Sequence, residues 1–191
     1  MIRDEMMVAM PDGVRLFTRI WKPDDGTYPM VLQRGYAPGS ERDAKAFVRG
    51  GYIFVGQSCR GHGNSEGEMN RFFDDAQDGY DTMTWIAGQP WCDGNIVMYG
   101  RSYYAQTQWL AATTQHPNLK AIIPQHMNAD MWECAYWCHG ALNLAMTAGG
   151  RMEPDLHTWE EVLWHLPLID MDRFAQGSES NWERLFAGWI M

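Results

Sequence analysis

The run Gly100-Arg101-Ser102-Tyr103-Tyr104-Ala105 places a serine directly between a β-prone segment, residues 95–99, and a segment with helical spacing. A serine at the crest of a sharp strand-to-helix turn presents its hydroxyl above the sheet, where it can attack a carbonyl carbon. Small residues two before and two after it let the chain make that turn. Gly100 meets the first requirement, but Tyr104 stands where the common G-x-S-x-G pattern has its second glycine. From these residues alone two readings stand side by side: Ser102 as nucleophile, or Ser102 as an N-cap that satisfies the first N–H groups of the helix after it.

The other groups capable of chemistry form weaker patterns. Cys59, Cys92, Cys134 and Cys138 are too few and too scattered for a disulfide scaffold and read as reduced thiols. Cys134 and Cys138, followed by His139, would share one face of a helix, either as the seed of a zinc site or as two small core residues. Cys59 and Cys92 have neither an elbow nor a paired histidine, which argues against a thiol enzyme. His62 and Ser65 lie in a glycine-rich stretch and read as loop residues. His116 reads as a helix-end residue at the negative end of the dipole. His126, with Asp130 four residues on, is either a substitute base for Ser102 or a polar residue at the neck of the next section. His139, His157 and His165 are singled out by no carboxylate pattern. No cofactor is expected and no metal is assigned.

Positioning such a serine requires a sheet, and the patterning supplies one. A Pro11-Asp12-Gly13 turn between residues 8–10 and 14–21 predicts a hairpin. Short apolar runs at 30–33, 52–56, 95–99 and 119–124 predict buried strands. Helical spacing marks 42–50, ending on Gly50-Gly51, then 74–88 and 104–114. The second of these has Ala76, Tyr80, Met83 and Ala87 on one face and acids in its first turn. Strands alternating with helices predict an α/β core over residues 1–128, with a mostly parallel sheet and flanking helices. Residues 129–191 change texture. The Trp-rich 131–146, then 158–166 and 181–190, predict a mostly helical segment, either a cap over the carboxyl ends of the strands or packing helices.

Composition narrows the function classes. The chain has 191 residues, 46% hydrophobic and 20% charged, which fits a globular protein with a sizeable core. A net charge of −9 without local Lys/Arg clusters argues against a nucleic-acid partner. No run reaches the ~18 apolar residues that span a bilayer, and the first ten residues lack a basic n-region and an apolar h-region. The expectation is no membrane partner and a cytoplasmic default.

Several blocks, in order over about residues 8–130, together resemble one family. Gly100 to Ala105 is similar to the G-x-S-Y-x-G nucleophile segment of the cocaine-esterase/X-Pro dipeptidyl-peptidase (S15, CocE/NonD) group of α/β-hydrolases. Asp12-Gly13-Val14-Arg15-Leu16 resembles its opening hairpin, and Arg34-Gly35-Tyr36 its Arg-x-Pro-Tyr segment. Residues 58–67 (SCRGHGNSEG) resemble its D-x-R-G-x-G-x-S-x-G loop. Asp78-Gly79-Tyr80-Asp81, Trp85 and residues 89–95 (QPWCDGN) resemble the run before the nucleophile strand.

The resemblance implies an α/β-hydrolase fold, Ser102 as nucleophile, and the Tyr103 backbone N–H and the Tyr36 phenol as oxyanion donors. It implies a small-molecule ester, amide or X-Pro peptide substrate. Three residues depart from the family pattern. Ala105 replaces a glycine and is expected to crowd the helix. Gly35 replaces the proline before Tyr36 and is expected to loosen it. Ser58 replaces an aspartate.

In the family the triad acid and histidine follow the helical cap. Residues 181–184 resemble the segment just before the acid-bearing strand, so the triad carried over stops at Ser102. The alternative expectation is therefore a catalytically incomplete fragment that acts as a binding module. The strand at 119–124 would be an exposed edge, covered in a homo-oligomer or by a missing C-terminal portion.

Overall fold

The structure, a computed structural model, describes residues 1–68, 73–127 and 129, and beyond these 137–138, 141–142, 160–161, 164–165 and 174. The Pro-Asp-Gly turn forms from its own chemistry. Asp12 Oδ1 accepts the Val14 N–H (3.1 Å), and Gly13 takes a φ of 90°. Met10 and Val14 close the turn through a 2.8 Å bond. The turn joins β1 (Ile2–Ala9) to β2 (Arg15–Lys22) in antiparallel register from Ile2↔Lys22 to Ala9↔Arg15.

The sheet then runs β1-β2-β4-β3-β5-β6, with β3 Tyr28–Gly35, β4 Ile53–Ser58, β5 Cys92–Arg101 and β6 Leu119–Gln125. The last four are mutually parallel, and β2 pairs antiparallel with β4, so the sheet is mostly parallel with an antiparallel hairpin on one edge. The strands reach further than their apolar runs, because Arg34, Gln57 and Ser58 at their carboxyl ends are buried although polar.

Alternation along the strands sorts the core onto two faces. Met30, Leu32, Ile53, Val55, Ile96 and Met98 pack with Met83 and Ile86 of α2 (Asp75–Ala87) and Ala111 of α3 (Tyr103–Thr113). Val31, Phe54, Val97 and Tyr99 point the other way, onto Ala44, Phe47 and Val48 of α1 (Glu41–Arg49). Ser40 caps α1 by accepting the Asp43 N–H at 3.1 Å. Parallel register brings Gly35, Ser58, Arg101 and Gln125 to one edge of the sheet, the carboxyl edge where α/β folds assemble sites.

Helix α2 is rotated from its expected face. Asp75, Asp78, Gly79, Thr82, Met83 and Ile86 are buried, whereas Ala76, Tyr80 and Ala87 are only half-buried. An apolar-periodicity reading misplaces the helix because its inward face carries acids, and those acids have partners. Arg34 of β3 is fully buried. It donates from Nε to Gln57 Oε1 (2.8 Å) and from Nη1 to the Asp75 carbonyl (2.9 Å), and Nη2 lies 3.7 Å from Asp78. Gln57 also accepts from Thr82 (2.8 Å) and donates to Thr18 (3.0 Å). Asp78 takes two 2.7 Å bonds from Arg60, which also reaches Asp12 at 2.6 Å. Gly79 allows the close approach of the helices: a Cβ there would stand 2.9 Å from that of Ala111.

Asp130–Met191 forms a compact unit distinct from Met1–Ala129. Its described residues include β7 (Trp137–Cys138) paired antiparallel with β8 (Ala141–Leu142). These four residues are paired as strand where helix was expected, so the shared helix face expected for Cys134 and Cys138 is not formed at Cys138. Cys134, His139 and the helix expected at 181–190 lie outside the described residues. Glu160 and Glu161 are helical, and Trp164 N–H bonds the Glu160 carbonyl at 3.1 Å. Among the described residues no helix is long and apolar enough to cross a membrane.

Removing one member of a buried charge network strands the others, which costs ~3–5 kcal/mol. Asp78→Ala should therefore lower urea-unfolding stability by about that amount, whereas Glu41→Ala, which breaks the exposed Lys45 pair, should leave the curve unchanged. Equal effects would show that the network does not hold α2 to the sheet.

Candidate active site

Ser102 links β5 to α3 with φ 60° and ψ −126°, and its side chain makes no capping bond to the helix. The N-cap reading of the sequence therefore fails: the hydroxyl does not serve α3, and the residue is exposed. The backbone is held on both sides. Ser102 N–H donates to the Gln125 carbonyl of β6 (2.9 Å), and the Ser102 carbonyl accepts from Ala105 (2.8 Å) and Gln106 (3.0 Å). A non-glycine residue in such a conformation carries ~1–3 kcal/mol of strain, which persists only where the surroundings over-determine it. Gly100 is part of that determination, since a Cβ there would stand 2.5 Å from the Cβ of Tyr104. Ala105 is fully buried within the first turn.

Tyr36 and Tyr103 come together beside this turn. Tyr36 leaves β3 at its carboxyl end, 42% exposed, with its ring centroid 4.7 Å from that of Tyr103. His62 joins them, edge-on at 5.1 Å from Tyr36 and 5.9 Å from Tyr103. The Tyr103 backbone opens α3, next to the nucleophile position. Its side chain is constrained in a way that the sequence did not indicate. The phenol is buried and donates to the Asp75 carboxylate, 2.9 Å from Oδ2 and 3.1 Å from Oδ1. Burial, with the Asp75 charge beside it, pushes this phenol far above its ordinary pKa, so it remains a donor. The only signal in the sequence was the spacing of Asp75 and Asp78 on one helix face, which a dipole argument explained too cheaply.

The loop after β4 is pinned on several sides. Ser65 donates to the Ser58 carbonyl (2.7 Å) and accepts the Phe17 N–H (2.8 Å). Glu66 takes both the backbone N–H (3.0 Å) and the guanidinium of Arg15. This confirms Ser65 as a loop-building residue and brings His62 to the aromatic cluster. Cys59 is buried, and burial pushes its thiol up to about 12. The Cys92 thiol is also raised by burial. Both shifts are opposite to that of an activated thiol.

Two further described histidines, His116 and His126, make no hydrogen bond to Ser102. His116 is buried between Thr84 (3.2 Å from Nε2) and the Asn118 N–H (3.2 Å from Nδ1), and burial lowers its pKa. It is thus a buried, hydrogen-bonded ring just past the end of α3. His126 follows Gln125 at φ 54° and is exposed. Its imidazole makes no hydrogen bond to Ser102 among the described residues, and Asp130 lies outside them. Among the described residues no group of three His, Cys, Asp or Glu side chains converges as metal ligands would.

Comparison with known proteins matches residues 12–165 to the model of the X-Pro dipeptidyl-peptidase (S15) family. The chain is 41% identical over 160 residues to cocaine esterase of a Rhodococcus species, an alignment covering 78% of this chain and 28% of the esterase. Among solved structures it resembles an α-amino acid ester hydrolase, with a TM-score of 0.62 and 31% identity over 75% of this chain and 28% of that one. It also resembles a CocE/NonD family hydrolase of Staphylococcus aureus, with a TM-score of 0.63 and 28% identity over 72% of this chain and 29% of that one. The chain thus spans less than a third of the length of these relatives.

The strain at Ser102 is measurable. Glycine adopts this φ without a Cβ penalty, so Ser102→Gly should melt above Ser102→Ala by about 2–4 °C, the shift expected for ~1 kcal/mol in a chain of this size. Equal melting temperatures would mean that the turn is relaxed. Cys59 predicts an alkaline limit. Its thiol titrates near 9.0 when unfolded and near 12 when folded, so its stabilisation is complete below pH 9 and is lost as pH rises from there toward 12. Thermal melts across that window should fall less steeply in Cys59→Ala.

Proposed function

The chain belongs to the X-Pro dipeptidyl-peptidase (S15) family of α/β-hydrolases, and we propose that Ser102 is the nucleophile of a serine hydrolase cleaving ester or amide (peptide) bonds. The observation that carries this reading is the positive φ of Ser102, combined with a hydroxyl that leaves the helix uncapped. Strain of this kind is tolerated at functional turns, and an N-cap serine does not need it.

In the proposed reaction Ser102 Oγ attacks the substrate carbonyl carbon. A base takes the hydroxyl proton and returns it to the leaving alcohol or amine, and water then releases the acyl group from the serine. Charge builds on the carbonyl oxygen during both steps. The Tyr103 backbone N–H and the Tyr36 phenol are assigned to meet it, and loss of one such donor typically costs ~10²–10³-fold in rate. Residues 129–191 are assigned as the cap segment of the family. The substrate class is small esters, amides or X-Pro peptides. The triad acid and base are expected after Ser102, in the chain order Ser, Asp, His that the family resemblance implies.

One observation favours a second reading. Among the described residues neither a histidine nor a carboxylate is bonded to the Ser102 hydroxyl. A serine without a base is a weak nucleophile, although an oxyanion hole alone retains part of the catalysis. On this reading the chain is a catalytically incomplete binding module.

A fluorophosphonate probe distinguishes the two. The hydrolase reading predicts labelling that disappears in Ser102→Ala and slows by ~10²-fold in Tyr36→Phe. His126→Ala should label at the unaltered rate, and loss there would make His126 the base. No labelling of the unaltered chain supports the binding module.

A further inference from the structure

Where the common elbow pattern has glycine, this chain carries a phenol, and that phenol reaches the residues on both sides of Tyr36. On one side its ring lies against the backbone of Gly35. A Cβ at residue 35 would stand 2.5 Å from Tyr104 Cδ1, 2.6 Å from Cε1 and 2.8 Å from Cγ. On the other side Ala37 N–H donates to the Tyr104 hydroxyl at 3.0 Å. The Tyr36 ring itself meets the Tyr104 ring edge to face, with centroids 6.1 Å apart.

The clamp is fixed at its base. Tyr104 sits in the first turn of α3, where its carbonyl accepts from Gln108 Nε2 (2.8 Å) and Thr107 Oγ1 (3.2 Å). Gln108 in turn accepts the Ile123 N–H of β6 at 2.9 Å.

We propose that Tyr104 is the positioning residue for Tyr36: it replaces a local backbone restraint before Tyr36 with a clamp reaching across from the nucleophile helix. This rests on the reading of Tyr36 as an oxyanion donor. Glycine at 35 was expected to loosen the backbone that holds Tyr36. The structure reverses that expectation, because Gly35 is the residue that admits the clamp. Any Cβ there, a proline's included, would occupy the space of the Tyr104 ring. Gly35 and Tyr104 are therefore one coupled feature, and the two departures from pattern explain each other. The clamp also links both halves of the proposed hole mechanically. The segment carrying Tyr36 is bonded to the residue that follows Tyr103, so nucleophile turn and phenol are held to one helix end.

The test uses Tyr104→Phe, which keeps the ring and removes the acceptor. Hydrogen exchange at the Ala37 amide should quicken by ~10-fold, while exchange at Val31 in the strand core stays unchanged. Phosphonylation of Ser102 should slow in Tyr104→Phe but not slow further when Tyr104→Phe is added to Tyr36→Phe. A general structural role would slow both backgrounds alike and overturn the proposal, as would unchanged exchange at Ala37. Gly35→Ala keeps the test independent of activity: it should lower the melting temperature with Tyr104 present and have little effect in Tyr104→Ala, and additive effects overturn the coupling. If the unaltered chain does not label, the nucleophile reading fails on its own, and exchange and melting still decide the clamp.

Discussion

Arg34 lies on a central strand with no solvent exposure, and its guanidinium is tolerable there only because two elements, β4 and α2, bring it acceptors and a counter-charge. Gln57 comes from β4, the Asp75 carbonyl and the Asp78 carboxylate from α2, and the Arg34 carbonyl itself takes the Thr107 hydroxyl of α3 at 2.9 Å. A charge buried in this way is costly unless it is paired and hydrogen-bonded. That requirement fixes how α2 lies on the sheet more narrowly than apolar packing could, while the Thr107 bond ties α3 to the same strand. It also carries outward to the carboxyl edge. Asp75 receives the Tyr103 phenol, and Asp78 holds Arg60 and, through it, the loop that brings His62 to Tyr36.

The serine turn stands on this frame. Ser102 is strained, and each surrounding contact makes a relaxed alternative worse. Gly100 leaves room for Tyr104, Gln125 holds the Ser102 N–H, and Tyr103 is tied down by its phenol. Preorganisation matters here because donors aimed in advance at developing charge need not reorganise during reaction. The strained turn, its adjacent backbone donor and the neighbouring phenol are all built from residues of Met1–Ala129.

Apolar alternation and turn residues made the sheet readable from sequence. The hairpin, the four parallel strands and the three helices appear where patterning put them, and the serine turn appears between β5 and α3. What sequence could not show was polar burial. Strand ends at Arg34, Gln57 and Ser58 were missed because polar residues ended the apolar run. The face of α2 was misjudged because Asp75, Asp78 and Thr82 point inward. Tyr104 read as a blemish in the nucleophile pattern and Gly35 as a loosening. Their contact across β3 and α3 spans almost seventy positions, which no local pattern reports. The 131–146 stretch read as helical from its lack of β-branched residues, but pairing between Trp137–Cys138 and Ala141–Leu142 overrides that propensity.

The central claim is that Ser102, among all the nucleophilic side chains of this protein, is the one set up to accept an acyl group. Its most direct test is the mass of the intact chain after brief exposure to an activated ester such as p-nitrophenyl acetate, followed by peptide mapping. The account predicts a single acyl group per chain, carried by the peptide that contains Ser102. An acyl group on a lysine or another serine, or a chain that stays unmodified, would contradict it.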